Sequence, residues 1–87
     1  MSLVRNVRAG DTFDVYIGRP SRWGNPFRLG VDGDRQAVVQ KFREFVMEPG
    51  QAKLRERARQ ELRGKTLGCW CAPLSCHGDV WEEIANA

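Results

Sequence analysis

The stretch KTLGCWCAPLSCHGDVWEEI, residues 65–84, reads as strand, loop and helix in immediate succession. KTLGCWC is a short apolar run of the kind that forms a buried strand. APLSCHG carries the turn chemistry of a loop. DVWEEIANA has helical spacing, with Val80, Ile84 and Trp81 on the core side and Asp79 or a close neighbour opening it. Cys69 and Cys71 leave the same strand face, and Trp70 points the other way, which assigns it to the core.

The same grammar recurs upstream. TFDVYIG, residues 12–18, alternates, with Phe13, Val15 and Ile17 on one face and Thr12, Asp14 and Tyr16 on the other. The loop RPSRWGNPF follows, then a turn around Gly30 and Asp32-Gly33-Asp34, then a helix over 35–48 capped by Asp34. Val38, Phe42, Phe45 and Val46 give that helix its buried stripe, and Pro49-Gly50 closes it. A second helix over 51–63 has a thin apolar stripe, Leu54, Ala58 and Leu62, and a heavily charged face. VRNVRAGD near the start supplies one more short strand. A strand leading through a loop into a helix, twice, predicts a small, Rossmann-like, single-layer α/β fold of three to four strands, partly parallel, with three helices and a ligand site beyond the carboxyl ends of the strands.

With 87 residues, the chain (residues 1–87) is one domain with a modest core. Hydrophobic residues at 41% and charged ones at 29% suit a globular protein. No apolar run approaches the ~20 residues needed to span a bilayer, and no signal-peptide pattern opens the chain. These features predict a cytoplasmic protein with no membrane partner. The net charge of +3 is compatible with a phosphate-bearing partner. Three cysteines, an odd number, argue against a disulfide framework and for thiol, metal or redox chemistry. So small a core would also gain from a homodimeric partner.

The loop after the second strand concentrates unusual chemistry. Gly18 and Gly24 open backbone conformations closed to other residues, while Pro20 and Pro26 stiffen the chain. Arg19 and Arg22 offer planar forks for phosphate, Trp23 offers a stacking face, and Ser21 and Asn25 offer polar edges. The competing reading is structural, with Trp23 and Phe27 as core plugs.

Three readings compete for the second loop. Cys69, Cys71, Cys76 and His77 have the donor types of a tetrahedral zinc site, although C-x-C-x4-C-H is not a common finger spacing. Cys76, near a helix N-terminus and beside an imidazole, could serve as a nucleophile, with His77 as acid or base. In the third reading the cysteines are small buried hydrophobes and His77 hydrogen-bonds without doing chemistry.

Together the two segments GRPSRWGNPF, residues 18–27, and CWCAPLSCHGD, residues 69–79, resemble a family of bacterial and phage proteins known as domain of unknown function family 4326. Order and spacing fit across nearly the whole chain. The resemblance implies that Gly18, Arg19, Pro20, Ser21, Trp23, Gly24, Asn25, Pro26 and Phe27 belong to one motif and Cys69, Cys71, Pro73, Cys76, His77 and Asp79 to another; it implies no activity. The expected function is a pocket between the two loops that binds a nucleotide-like or phosphorylated ligand, with Cys76 and His77 on its far wall. The alternative is a zinc-stapled module that binds nucleic acid through the basic helix.

Overall fold

The computed structural model describes residues 3–19, 21–70 and 76–87. Three short strands, β1 (Val4–Asn6), β2 (Val15–Tyr16) and β3 (Leu67–Cys69), form a sheet in the order β1-β3-β2. Both pairings are parallel: Val4 and Val15 flank Leu67, and Arg5 and Tyr16 flank Gly68. The last strand in sequence thus takes the centre, and β3 is buried along its whole length. Asp14 clasps the start of β3, its carboxylate accepting from the Thr66 backbone N–H at 2.9 Å and the Thr66 hydroxyl at 3.1 Å. These bonds to the ionised form hold the Asp14 carboxyl below its ordinary pKa.

Three helices follow the strands: α1 (Arg35–Val46), α2 (Ala52–Glu61) and α3 (His77–Ala85), with a single 3-10 turn at Pro49–Gln51 between the first two. Asp34 caps α1 as expected, its side chain accepting from the Ala37 N–H at 2.9 Å. Gly64, at φ 73°, turns the chain from α2 into β3, a conformation that disfavours other residues. The start of α3 differs from the sequence expectation. Cys76 is the N-cap and His77 the first helical residue, while Asp79 sits in the first turn and accepts from the Cys76 N–H at 3.1 Å.

α3 lies at the centre of the helical layer. It packs on β1 and β3 with one side and on α1 and α2 with others. Its fully buried Trp81 contacts Trp23 edge-to-face at 5.0 Å and Phe42 at 5.4 Å. Phe42, Val46, Ala58, Leu62 and Val80 complete that core, and Val4, Ile17, Leu67 and Cys69 face it from the sheet. On the sheet's other face the absent side chain of Gly68 is replaced by the Phe13 ring, which a Cβ there would meet at 2.7 Å. Trp70, expected in the core, is 53% exposed on that side. The alternation was read correctly, but the face opposite Cys69 is not covered by a helix. Among the described residues no helix is long and apolar enough to cross a membrane.

The charged face of α2 is largely used within the chain. Arg55 reaches the carboxyl end of α1, donating to the Val46 carbonyl at 2.6 Å and the Glu48 carbonyl at 2.8 Å. Arg63 does the same for α3, donating to the carbonyls of Ala85 at 2.8 Å and Ala87 at 3.1 Å. At Val46 and Ala85 each satisfies a carbonyl at a helix end and opposes the negative end of a helix dipole, while the Glu48 carbonyl also accepts from the Gln51 N–H. Arg57 and Arg59 instead pair with Glu61 and Glu56 along the exposed surface. Arg55→Met should therefore cost about 1–2 kcal/mol, whereas Arg57→Met should cost less than about 0.5 kcal/mol. Urea unfolding of the two variants checks this; equal midpoints would refute the helix-end role of Arg55.

Candidate functional site

Beyond the carboxyl ends of β2 and β3 lies a cavity of about 150 Å³. Gly18, Arg19, Asn25 and Phe27 reach it from the first loop, and Cys69, Trp70, Cys76 and His77 from the second segment. Leu29, Arg35, Val38 and Val39 close it from the start of α1 and the turn before it. Described residues on either side of the second loop thus meet the first loop at one cavity; residues 71–75 lie outside the described residues. The amino ends of both α1 and α3 border the cavity, and both present positive dipole ends. Its described lining includes two arginines and no carboxylate.

The first loop divides into residues that line the cavity and residues that hold the loop in place. Trp23 is 4% exposed, and its carbonyl accepts from the Trp81 indole at 2.8 Å. It is a core plug, because a ring locked against Trp81 cannot stack on a ligand. Ser21 anchors the tight turn that follows, its Oγ accepting from the Trp23 N–H at 3.3 Å and its carbonyl from the Gly24 N–H at 3.1 Å. Arg22 points away from the cavity, over the Trp23 ring at 6.0 Å and toward Glu61 at 3.7 Å. Gly18 and Gly24 do not use left-handed backbone. They are needed for space: a Cβ on Gly24 would lie 2.8 Å from Cγ of Arg19, and one on Gly18 would enter the Tyr16 ring. Pro20 lies outside the described residues.

Asn25 borders the cavity but its amide is already engaged. Oδ1 accepts from the Phe27 N–H at 2.8 Å, and Nδ2 donates to the Val38 carbonyl at 3.3 Å. It ties the loop to α1 and so positions Arg19 and Phe27. Arg19 is exposed, and no carboxylate among the described residues pairs with it. Sequence reasoning missed Arg35 and Trp70. Arg35 looks like an ordinary wet-face residue until the amino end of α1 is seen beside the loop. Trp70 is held upright at the rim by a bond from its indole N–H to the Tyr16 hydroxyl at 2.8 Å, and that hydroxyl donates to the Arg19 carbonyl at 2.9 Å.

On the floor, Cys69 and Cys76 bring their sulfurs to 2.8 Å, and both residues are buried. The Gly78 N–H donates to the Cys76 sulfur at 3.2 Å. His77 is buried against the Phe42 ring, and its Nε2 lies 2.7 Å from the Ile17 carbonyl oxygen. A carbonyl only accepts, so Nε2 carries the hydrogen and Nδ1 keeps the lone pair. Cys71 and Pro73 lie outside the described residues. The thiol contact with Cys69 and burial push the Cys76 pKa up, outweighing the Gly78 N–H at the helix start. The lowered pKa that a helix N-terminus suggests for a nucleophile is therefore not what this environment produces.

The match to the family model described as Domain of unknown function (DUF4326) covers residues 4–87. The chain belongs to this family. It is similar to an uncharacterized 12.4 kDa protein from the nrdA-td intergenic region of enterobacteria phage T4, 38% identical over 76 residues, a stretch covering 85% of this chain and 68% of that one. It is also similar to uncharacterized protein R718 of Acanthamoeba polyphaga mimivirus, 32% identical over 89 residues, covering 82% of this chain and 65% of that protein. The chain thus spans about two thirds of these relatives. No solved structure matches. In this DUF4326 chain Gly18, Arg19, Asn25 and Phe27 line one cavity together with Cys69, Trp70, Cys76 and His77.

The raised Cys76 pKa has a definite sign for stability. The folded state keeps a proton that the unfolded chain releases above its ordinary thiol pKa of about 8.5. Stability should be fully present below that pH and fall above it, by up to about 1.4 kcal/mol per pH unit for this group. Urea unfolding of reduced, chelator-treated protein between about pH 7.5 and 9.5, compared with Cys76→Ser, measures the effect. An identical pH profile in the two proteins would refute it.

Proposed function

We propose that this chain binds a small phosphorylated or nucleotide-like ligand in the cavity between its two motif segments. The carrying observation is the charge of the lining: Arg19 and Arg35 beside two helix amino ends, with no opposing carboxylate among the described lining residues. Arginine forks and helix amino ends both favour phosphate oxygens. Location supports the same reading, since open parallel sheets accept ligands beyond their carboxyl ends, the Rossmann-like placement expected from the strand–loop–helix repeat.

Size sets the binding mode. A cavity of about 150 Å³ is below the roughly 300–1,000 Å³ usual for enclosing an organic ligand. It suits a phosphoryl head group, leaving any base or other flat group at the rim against the exposed Trp70. Trp70 thus takes the stacking role that the sequence suggested for Trp23. Attack by Cys76 is not part of the proposal, because its thiol is held protonated. The nucleic-acid reading is weaker, because Arg55, Arg57, Arg59 and Arg63 are engaged with helix ends or neighbouring glutamates.

Titration of 15N-labelled protein with inorganic phosphate, ribose 5-phosphate and nucleoside monophosphates tests the proposal. Nucleotides should bind more tightly than phosphate and shift the Trp70 indole signal. Arg19→Ala should weaken all of them by tenfold or more with little change in melting temperature, a loss expected for a charge-assisted contact of about 1.4 kcal/mol or more. Trp70→Ala should weaken nucleotides but not phosphate. Failure of every probe to shift a cavity resonance, or unchanged affinity in Arg19→Ala, would refute the reading.

A further inference from the structure

The floor of the cavity holds a donor set that ligand binding does not require. Cys69 Sγ, Cys76 Sγ and a His77 ring nitrogen all lie within 4.8 Å of one another, although they come from a strand end and a helix start. Two thiols and an imidazole are the soft and borderline donors preferred by zinc-class ions. We propose that Cys69, Cys76 and His77 form a binding site for a divalent zinc-class metal ion.

Three features make the cluster more than a packed thiol pair. The first is the histidine. Its Nε2–H donates to the Ile17 carbonyl at 2.7 Å, which fixes the ring and leaves the Nδ1 lone pair for a metal. Metal-bound histidines are oriented in this way, by a partner on the opposite ring nitrogen. The second is the identity of the cap. Serine, threonine, aspartate or asparagine would cap α3 better than a weakly accepting sulfur. A cysteine here is the poorer choice for the helix and the better one for a metal. The third is access: all three residues line the cavity, so an ion has an entry path and need not wait for global unfolding.

The sulfurs, 2.8 Å apart, would have to separate. Two thiolates on one tetrahedral zinc sit about 3.8 Å apart, given Zn–S bonds of about 2.3 Å. The movement is about an ångström, within the reach of side-chain rotation beside a cavity. Binding would replace two thiol protons by the ion, leaving thiolates, and would release those protons to solvent. No electron is transferred. Because the ion replaces two protons, the net charge of the floor is unchanged, and the site stands without the phosphate reading.

The test uses the whole chain, expressed reducing and purified without chelator or added metal. Elemental analysis should find about one zinc per chain. Chelator-stripped protein titrated with Co²⁺ should develop visible bands of a tetrahedral site and a near-ultraviolet sulfur-to-cobalt charge-transfer band. Cys76→Ser keeps a good helix cap and should still fold, yet lose tightly bound zinc and at least half of the charge-transfer intensity. His77→Gln should weaken Co²⁺ binding by tenfold or more. The wild-type cobalt spectrum alone carries the test if either variant fails to fold. Protein that is metal-free and gives no cobalt band would overturn the proposal, whether its thiols prove reduced or joined as a Cys69–Cys76 disulfide. Phosphate and nucleotides are absent throughout, so failure here leaves the ligand-binding reading intact, and failure of ligand binding leaves the metal site intact.

Discussion

The indole N–H of Trp81 donating to the carbonyl of Trp23 is the contact on which the arrangement of this chain depends. A buried indole nitrogen needs a partner. Here the partner is the backbone of a loop 58 residues earlier, so the requirement pins loop to helix. The edge-to-face contact between the two rings adds to it. Because Trp81 lies one turn beyond Cys76 and His77, fixing it also fixes where α3 begins. The same anchor therefore sets one wall of the cavity from each motif. Loss of the Trp81 side chain would cost core volume, and the loop carrying Arg19 would lose its reference point as well.

The periodic parts of the fold were legible because each carried a local signal. The Asp34 cap and the stripe of Val38, Phe42 and Val46 appear as the sequence predicts; of the alternating run at 12–18, Val15 and Ile17 turn to the core, but Phe13 lies against Gly68 on the opposite face and is 36% exposed. That residues from the two segments would line one cavity was expected from the repeated strand–loop–helix order, and the described ones do so. The two tryptophans exchanged roles for a nonlocal reason. Trp70 alternates with Cys69, so its direction was clear, but whether that face is covered depends on which side of the sheet carries the helices. Trp23 sits among arginines and a glycine, which reads as a binding loop, yet its burial is decided by α3 arriving from the far end of the chain. Arg35 was invisible for the same reason: a first-turn residue on a wet helix face becomes a cavity residue only when another loop packs beside it.

Part of the basic charge of this net +3 chain is engaged within the fold. The arginines of α2 face outward in a helical wheel, which suggests a surface for a polyanion. In three dimensions α2 lies beside the carboxyl ends of its two neighbours. Arg55 and Arg63 are long enough to reach unsatisfied carbonyls there, and the others pair along the helix. Arg19 and Arg35 line the cavity, while Arg8, Arg28, Lys53 and Lys65 lie exposed elsewhere.

A small domain has few apolar contacts with which to hold polar groups in a defined place. This chain spends part of its interior on Cys69, Cys76 and His77, which are poorer core formers than leucine or valine, and it places them next to its most ordered feature, the Trp23–Trp81–Phe42 cluster. His77 packs edge-on against the same Phe42 ring. Donor groups backed by rigid aromatic packing lose little further freedom when they take up an ion or a ligand, so less of the binding free energy is consumed in ordering them. A stiff floor of soft donors, a rim of arginines and an upright tryptophan make physical sense as one arrangement.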